Sequence, residues 1–328
     1  MRDQLLRAVM ARLDRIKAAR DPALVLEPGA LDDAQRLAEA LRDDDGDLEA
    51  CYVLGWFHWY RCLVLPQGRH YEALEEASRA LTPCFIAGVE GLPEPLLSSL
   101  ASNATGTAVT LLKQAMSGSD LNLITTTVSL WQRVLTAIPA DHHDRVAMLS
   151  NLGLALQLRF ERVGALADLD EAITVGWGAV QATPADHPDR AGYLSNLGFA
   201  LRVRFRRVGA QADLDQAITV GREAVQATPA DHPDRAGHMS NLSLVLQVRF
   251  EQMGTQEDLD EAITLGRAAT QATPADHPNR AVMQSSLGGA LRLRFERVGA
   301  QEDLDDAITV GRGAVQTTPA DHPHRASY

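Results

Sequence analysis

With 328 residues, 45% hydrophobic and 23% charged, the chain has the composition of a soluble protein, long enough for two or three compact domains or one extended array. A formal net charge of -12 and a sequence pI near 5.3 oppose a polyanionic partner, because phosphate binding depends on a basic surface, and nucleic acid is not expected. No apolar run approaches the roughly 18 to 20 residues that cross a bilayer. The start Met-Arg-Asp-Gln-Leu-Leu-Arg has no signal-peptide core, so a cytoplasmic protein without membrane contact is expected. Cys51, Cys62 and Cys84 are odd in number and lack paired spacing, which predicts reduced thiols.

In chain order, Leu5, Leu6, Val9, Leu13 and Ile16 share one face of an amphipathic helix over residues 2–18. Asp21-Pro22 and Pro28-Gly29 break the chain, and a second helix follows from about Leu31 to Leu41. Leu54-Gly55 precedes Ala73 and Ala80 by nearly the interval that separates Leu197-Gly198 from Ala217 and Ala224. Residues 48–82 therefore read as a degenerate copy of the unit that dominates the rest. Gly88 to Pro95 is the expected linker, so residues 1–95 form an N-terminal set of degenerate helical repeats. From Leu96 the period returns: Ala108 stands 45 residues before Gly153, Val128 before Ile173 and Pro139 before Pro184. The stretch 96–138 is a diverged copy that opens an array over residues 96–328.

The array itself is nearly verbatim. Asp-His-(Pro/His)-x-Arg ends at Arg145, Arg190, Arg235, Arg280 and Arg325, each 45 residues after the last, and a fixed period of this size marks stacked supersecondary units. In the copy from Ala191, Leu194, Leu197, Gly198, Leu201, Phe205 and Val208 fall on one helix face. Gly209, recurring as Gly164, Gly254 and Gly299, suits a helix C-terminus that needs positive φ. Asp213 with Gln216 predicts a capping box, repeated as Asp168 with Glu171, Asp258 with Glu261 and Asp303 with Asp306. The second helix carries Leu214, Ala217, Ile218, Gly221, Ala224 and Val225, and Pro229 lies beyond it. Small residues at Ala217, Gly221 and Ala224 predict close helix approach. One such antiparallel pair cannot cover both apolar faces, so neighbouring copies must.

Leu197-Gly198 with Leu201, then Ala217, Ala224 and Pro229, resemble the tetratricopeptide (TPR) pattern of Leu-Gly, two Ala and a closing Pro. The unit departs from that family in its 45-residue length against the usual 34 and in Gly221, where a large aromatic is common. The longer form is similar to TPR arrays of actinobacterial proteins that often carry a caspase-like CHAT peptidase domain. The resemblance implies an all-α, right-handed α-solenoid of about seven helix pairs. It also implies a concave groove lined by the first helices. Residue by residue, that groove holds Ser195, Asn196, Phe199, Arg202 and Val203. Ser150, Asn151, Leu154 and Gln157 precede them; Ser240, Asn241, Leu244, Gln247, Ser285, Ser286, Gly289 and Arg292 follow. The Lys residues of a carboxylate clamp are missing. In the degenerate copy the same rule places Tyr52, Trp56, Trp59 and Tyr60 in the groove; the alternative is that these rings fill the core of the N-terminal stack.

Catalytic signals are weak throughout. The row His142, His187, His232, His277 and His322 supplies one imidazole per repeat, whereas a metal needs several converging ligands, so these and Pro188, Pro233, Pro278 and Pro323 read as linker, each Pro at a first helical position. Cys51, His58, Cys62 and His70 match no ligand spacing and read as core or packing residues. Arg159, Arg204, Arg249 and Arg294, near the end of each first helix, suit the helix dipole and the following Asp-Leu-Asp. No phosphate loop, GxSxG or HExxH is present, so neither enzyme nor cofactor is expected. The expected function is a scaffold that binds a peptide or protein along the concave face; the alternative is the regulatory repeat region of a CHAT-type peptidase. The chain ends where another first helix should begin, at His324-Arg-Ala-Ser-Tyr328, which predicts continuation past Tyr328 or self-association through an uncapped C-terminal face.

Overall fold

The computed structural model describes residues 2–41, 46–66, 68–277 and 279–318. Pro278, His322, Pro323, Arg325 and the expected uncapped end at Tyr328 lie outside them. The described residues form helices and turns without strands. The helices are α1 (Arg2–Ala19), α2 (Ala30–Ala40), α3 (Leu48–Val64), α4 (His70–Ala87), α5 (Leu97–Ser117), α6 (Leu121–Ala137) and α7 (Arg145–Val163). Then come α8 (Leu166–Ala182), α9 (Arg190–Val208), α10 (Gln211–Ala227), α11 (Arg235–Met253), α12 (Gln256–Ala272), α13 (Arg280–Val298) and α14 (Gln301–Thr317). They make seven successive pairs of the all-α solenoid class. By contact the chain divides into two units, Met1–Met148 and Leu149–Tyr328.

In the first unit, Leu6, Val9, Leu13 and Ile16 of α1 pack with Ala34 and Leu37 of α2 and with Val53, Leu54 and Phe57 of α3. The apolar stripe of α1 is thus buried by the next hairpin rather than by its own partner alone. Asp47 starts α3 by accepting from the Ala50 amide at 3.1 Å, and Asp120 starts α6 by accepting from Asn122 at 2.8 Å. A Cβ on Gly55 would overlap Leu81 Cγ, so the glycine of the Leu-Gly pair is what admits Leu81 between α3 and α4. Helix α4 runs through Pro83 to Ala87, past the expected end near residue 82.

The second unit repeats one hairpin. Gly164, Gly209, Gly254 and Gly299 sit at φ between 71° and 76° and close each first helix, their amides donating to the Phe carbonyl four residues back at 2.7 Å. The expected capping box is not what starts the second helix. Helix α10 begins at Gln211, and Asp213, already its third residue, instead accepts from Arg204: Nε to Oδ2 at 2.8 Å, Nη2 to Oδ1 at 2.6 Å. The same fork joins Arg159 to Asp168, Arg249 to Asp258 and Arg294 to Asp303. A bidentate guanidinium satisfies a nearly buried carboxylate better than a free helical amide would. Val208, last on the expected buried face, is exposed, because the hairpin turns before anything can cover it.

Between repeats, the packing is small against large. A Cβ on Gly176, Gly221 or Gly266 would approach Leu197, Leu242 or Leu287 of the next first helix to 3.2, 3.1 and 3.3 Å. Within a pair the helices also approach closely, as expected, since a Cβ on Gly198 would stand 3.4 Å from the Ala217 carbonyl and 4.0 Å from the Gly221 amide nitrogen, and the same Gly221 receives a leucine from the following pair. Second helices therefore contact the next first helix, as α8 with α9 and α10 with α11, and first helices touch each other, as α9 with α11 and α11 with α13.

The linker is ordered by its own motif. His187 Nδ1 accepts from the Asp189 amide at 3.2 Å, and the imidazoles of His142, His232 and His277 do the same at 3.1 to 3.2 Å. Pro188 lies in this turn, two residues before α9, so it does not occupy the first helical position. Arg190 then reaches back, Nη1 donating to Val180 and Thr183 carbonyls at 2.6 Å each. Both carbonyls lie at the C-terminal end of α8, where the cation also meets the negative end of the helix dipole. Arg145, Arg235 and Arg280 repeat the contact.

Candidate partner-binding face

The first helices of the second unit, lying side by side, present one row of residues per repeat. Within it Asn196 Nδ2 donates to Ser150 Oγ at 3.2 Å and Asn241 Nδ2 to Ser195 Oγ at 2.9 Å, each reaching the preceding repeat. Gln157 Nε2 donates forward to the Asn196 carbonyl at 3.4 Å. Gln247, buried, contacts Ser243 Oγ at 3.2 Å and the Ser286 carbonyl at 3.3 Å. Asn and Gln thus form a ladder along α7, α9, α11 and α13. Asn151, Leu154, Val203 and Leu244 are half-buried on the same row. Ser240 and Ser286 are buried. Ser285 and Gly289 are half-buried, and Arg292 is exposed and paired with Glu296 of its own helix.

Arg202 differs from the ladder. It replaces Gln157 and Gln247 of the flanking copies, it is only 9% exposed, and its guanidinium carbon stands 4.9 Å above the Phe199 ring. Burial pushes its pKa down to about 10, the Arg206 charge adds to that, and Glu161 opposes it. Arg202 makes no hydrogen bond among the described residues. It is a desolvated cation on a stacking platform with its donors open.

Tyr52, Trp56, Trp59 and Tyr60 in the first unit are all half-buried. Trp56 and Tyr60 rest on the α1–α3 core, their ring centroids 5.5 Å apart, and Tyr52 lies 6.4 Å from Trp56. The Tyr52 hydroxyl donates to the Gly91 carbonyl at 3.2 Å, and burial raises the Tyr60 phenol pKa. The Trp56 indole N–H is buried without an acceptor. Of the other thiols and imidazoles of this region, Cys51, His58 and Cys84 are buried, and Cys62 and His70 are half-buried. His58 is buried beside Arg61, and burial lowers its pKa to about 4. Cys84 donates to the Leu48 carbonyl at 3.4 Å, with its thiol pushed up to about 12 by burial. Burial thus disfavours the thiolate form that a reactive cysteine needs. Among the described residues one trio, His142, His143 and Asp144, brings ligand atoms within 4.8 Å of one another on an open turn, where the His142 ring already accepts from the backbone. No helix of the described residues is long and apolar enough to cross a membrane.

Residues 190–234, one unit of the array, match the tetratricopeptide repeat family. The neighbouring units repeat its text, so the array is built of TPR-like repeats. No curated protein matches the chain. Among solved structures, a Podosopora anserina protein assigned as a kinesin light chain, with nearly identical TPR-like repeats, is 18% identical over 64% of this chain and 95% of its own, at a TM-score of 0.45. A single-substitution form of that protein is 17% identical over 66% and 99%, also at 0.45. MamA is 18% identical over 63% and 93%, at 0.39.

Proposed function

We propose that this TPR-like array is a non-catalytic scaffold whose first-helix face receives a protein or peptide partner, with an acidic group of that partner seated on Arg202. The fold class is one that mediates protein–protein interaction generally. The observation that carries the finer reading is the state of Arg202: nearly buried, stacked on Phe199 and without an acceptor. A desolvated, unpaired guanidinium is costly, and a carboxylate relieves that cost with a charge-assisted fork. The ladder of Asn196, Asn241, Gln157 and Gln247 holds the neighbouring first helices in register around it. Tyr52, Trp56, Trp59 and Tyr60 offer a second contact area on the first unit. The test is selection of binders from a displayed peptide library, followed by amide-exchange mapping. Acidic consensus peptides that protect α9 and its flanking first helices support the reading; protection confined to second helices contradicts it.

A further inference from the structure

A cavity of about 550 Å³ lies on the opposite, second-helix side of the repeats, between α8 and α10, lined by Trp177, Val180, Asp215, Gln216, Thr219 and Glu223 among others. Three of these residues are where the near-verbatim repeat departs from itself. Trp177 stands where Arg222, Arg267 and Arg312 stand in the other copies; Gln216 replaces Glu171, Glu261 and Asp306; Glu223 replaces Gly178, Ala268 and Gly313.

The departures are coupled. In the following repeats the Arg and the acid of the next second helix pair across 39 residues, Arg222 with Glu261 and Arg267 with Asp306, at 2.6 and 2.7 Å. Trp177 and Gln216 are the same two positions with both charges removed. The ion pair that closes the surface between second helices is therefore replaced here by an indole wall and an amide, and a cleft remains.

The charges that remain on the second-helix side of the cleft are acidic, and no guanidinium grips them. Glu223 has no ion-pair partner among the described residues. The Asp215 carboxylate accepts from Gln211 at 3.2 Å and feels the Arg249 charge without a hydrogen bond to it, whereas its counterparts Asp170 and Asp260 are bonded by Arg204 and Arg294 at 2.9 and 3.2 Å. The one cation of the lining, Arg190, is directed at the Val180 and Thr183 carbonyls. An aromatic face beside two carboxylates without a guanidinium hydrogen bond, with Val180 and Val220 forming an apolar floor, fits a planar cation on an apolar stem.

We infer that this cleft is a second binding site, which takes an arginine side chain from a basic segment of a partner protein. The chain's net charge of -12 draws such a segment in, and stacking on Trp177 with a fork to Asp215 or Glu223 fixes it. The site is separate from the first-helix face and does not depend on it.

The test uses the whole chain and a fluorescein-labelled nonapeptide carrying three Arg among Ala, read by anisotropy at low salt. The triple variant W177R/Q216E/E223A installs the residues of the neighbouring copy, so its fold is kept, as circular dichroism would check, and the cleft is closed by an Arg–Glu pair. About tenfold weaker binding is expected from it. Glu302→Ala, which makes the same net change of charge elsewhere, is expected to bind as the parent does. Equal affinity of the triple variant, equal weakening by Glu302→Ala, or no measurable binding at millimolar peptide would each overturn the inference.

Discussion

Arg204 grips Asp213 at two points, Nε to Oδ2 at 2.8 Å and Nη2 to Oδ1 at 2.6 Å, and so ties the last turn of one helix to the first turn of the next. The bond raises the Arg204 pKa, with a further contribution from Asp170 of the preceding repeat. One guanidinium thus joins both the hairpin and the stack. Removing the carboxylate leaves Nε and Nη2 of a part-buried cation without acceptors, with only Nη1 still held by Asp170. Asp213→Ala is expected to cost about 2 kcal/mol, a value kept below that of a fully buried pair because Arg204 is partly solvated. Urea denaturation measures it, and the pair R204M/D213L should lose less than the sum of its single changes.

The contact of Gly221 with Leu242 makes a second prediction. A Cβ there would meet Leu242 Cδ1 at 3.1 Å, so Gly221→Val forces neighbouring repeats apart, at about 1 to 3 kcal/mol. At Gly178 the nearest atom, Leu149 Cδ1, is 3.7 Å away, and Gly178→Ala should be neutral or stabilising through helix propensity. Thermal melts of the two variants should move in different directions; equal losses would mean that the glycines do not set the repeat spacing.

His58 gives the first unit a defined acid response. Burial, then the charges of Arg61 and Arg79, hold its folded pKa at about 4 against 6.5 in the unfolded chain, so the native state keeps the ring neutral. Between those values the unfolded state binds the extra proton. Stability is therefore full above pH 6.5 and falls as the pH drops towards 4, by up to about 3 kcal/mol. His58→Leu, the residue found as Leu201 in the regular copy, should flatten the dependence of melting temperature on pH between 6.5 and about 5. An unchanged slope would show that His58 is not the group responsible.

The period of the text, the αL glycines and the apolar faces were legible in the sequence, because each depends on local spacing that the near-identical copies display again and again. Residues 48–82 were legible as a hairpin through the interval from Leu54-Gly55 to Ala73 and Ala80, whereas the contact of Gly55 with Leu81 appears only in the structure. What the sequence did not disclose was partner choice. Asp213 has the spacing of a cap, yet an Arg nine residues upstream competes for it and wins with two charged bonds where an amide offers one neutral donor. Likewise Asn196 reads as a ligand residue, and only the stacked neighbour reveals Ser150 beneath it. Trp177 was missed in the sequence, because its departure from Arg222 and Arg267 gains meaning only when Gln216, 39 residues on, is placed beside it.

The most direct measurement is the affinity of a library-selected acidic peptide for the parent chain and for Arg202→Gln. Glutamine is the residue of the flanking copies, as Gln157 and Gln247, so the variant keeps the ladder while removing the buried charge. If the first-helix face reads an acidic partner through Arg202, the peptide binds about tenfold more weakly or worse, and the variant is as stable as the parent or more so. Unchanged affinity with a folded variant would contradict the account.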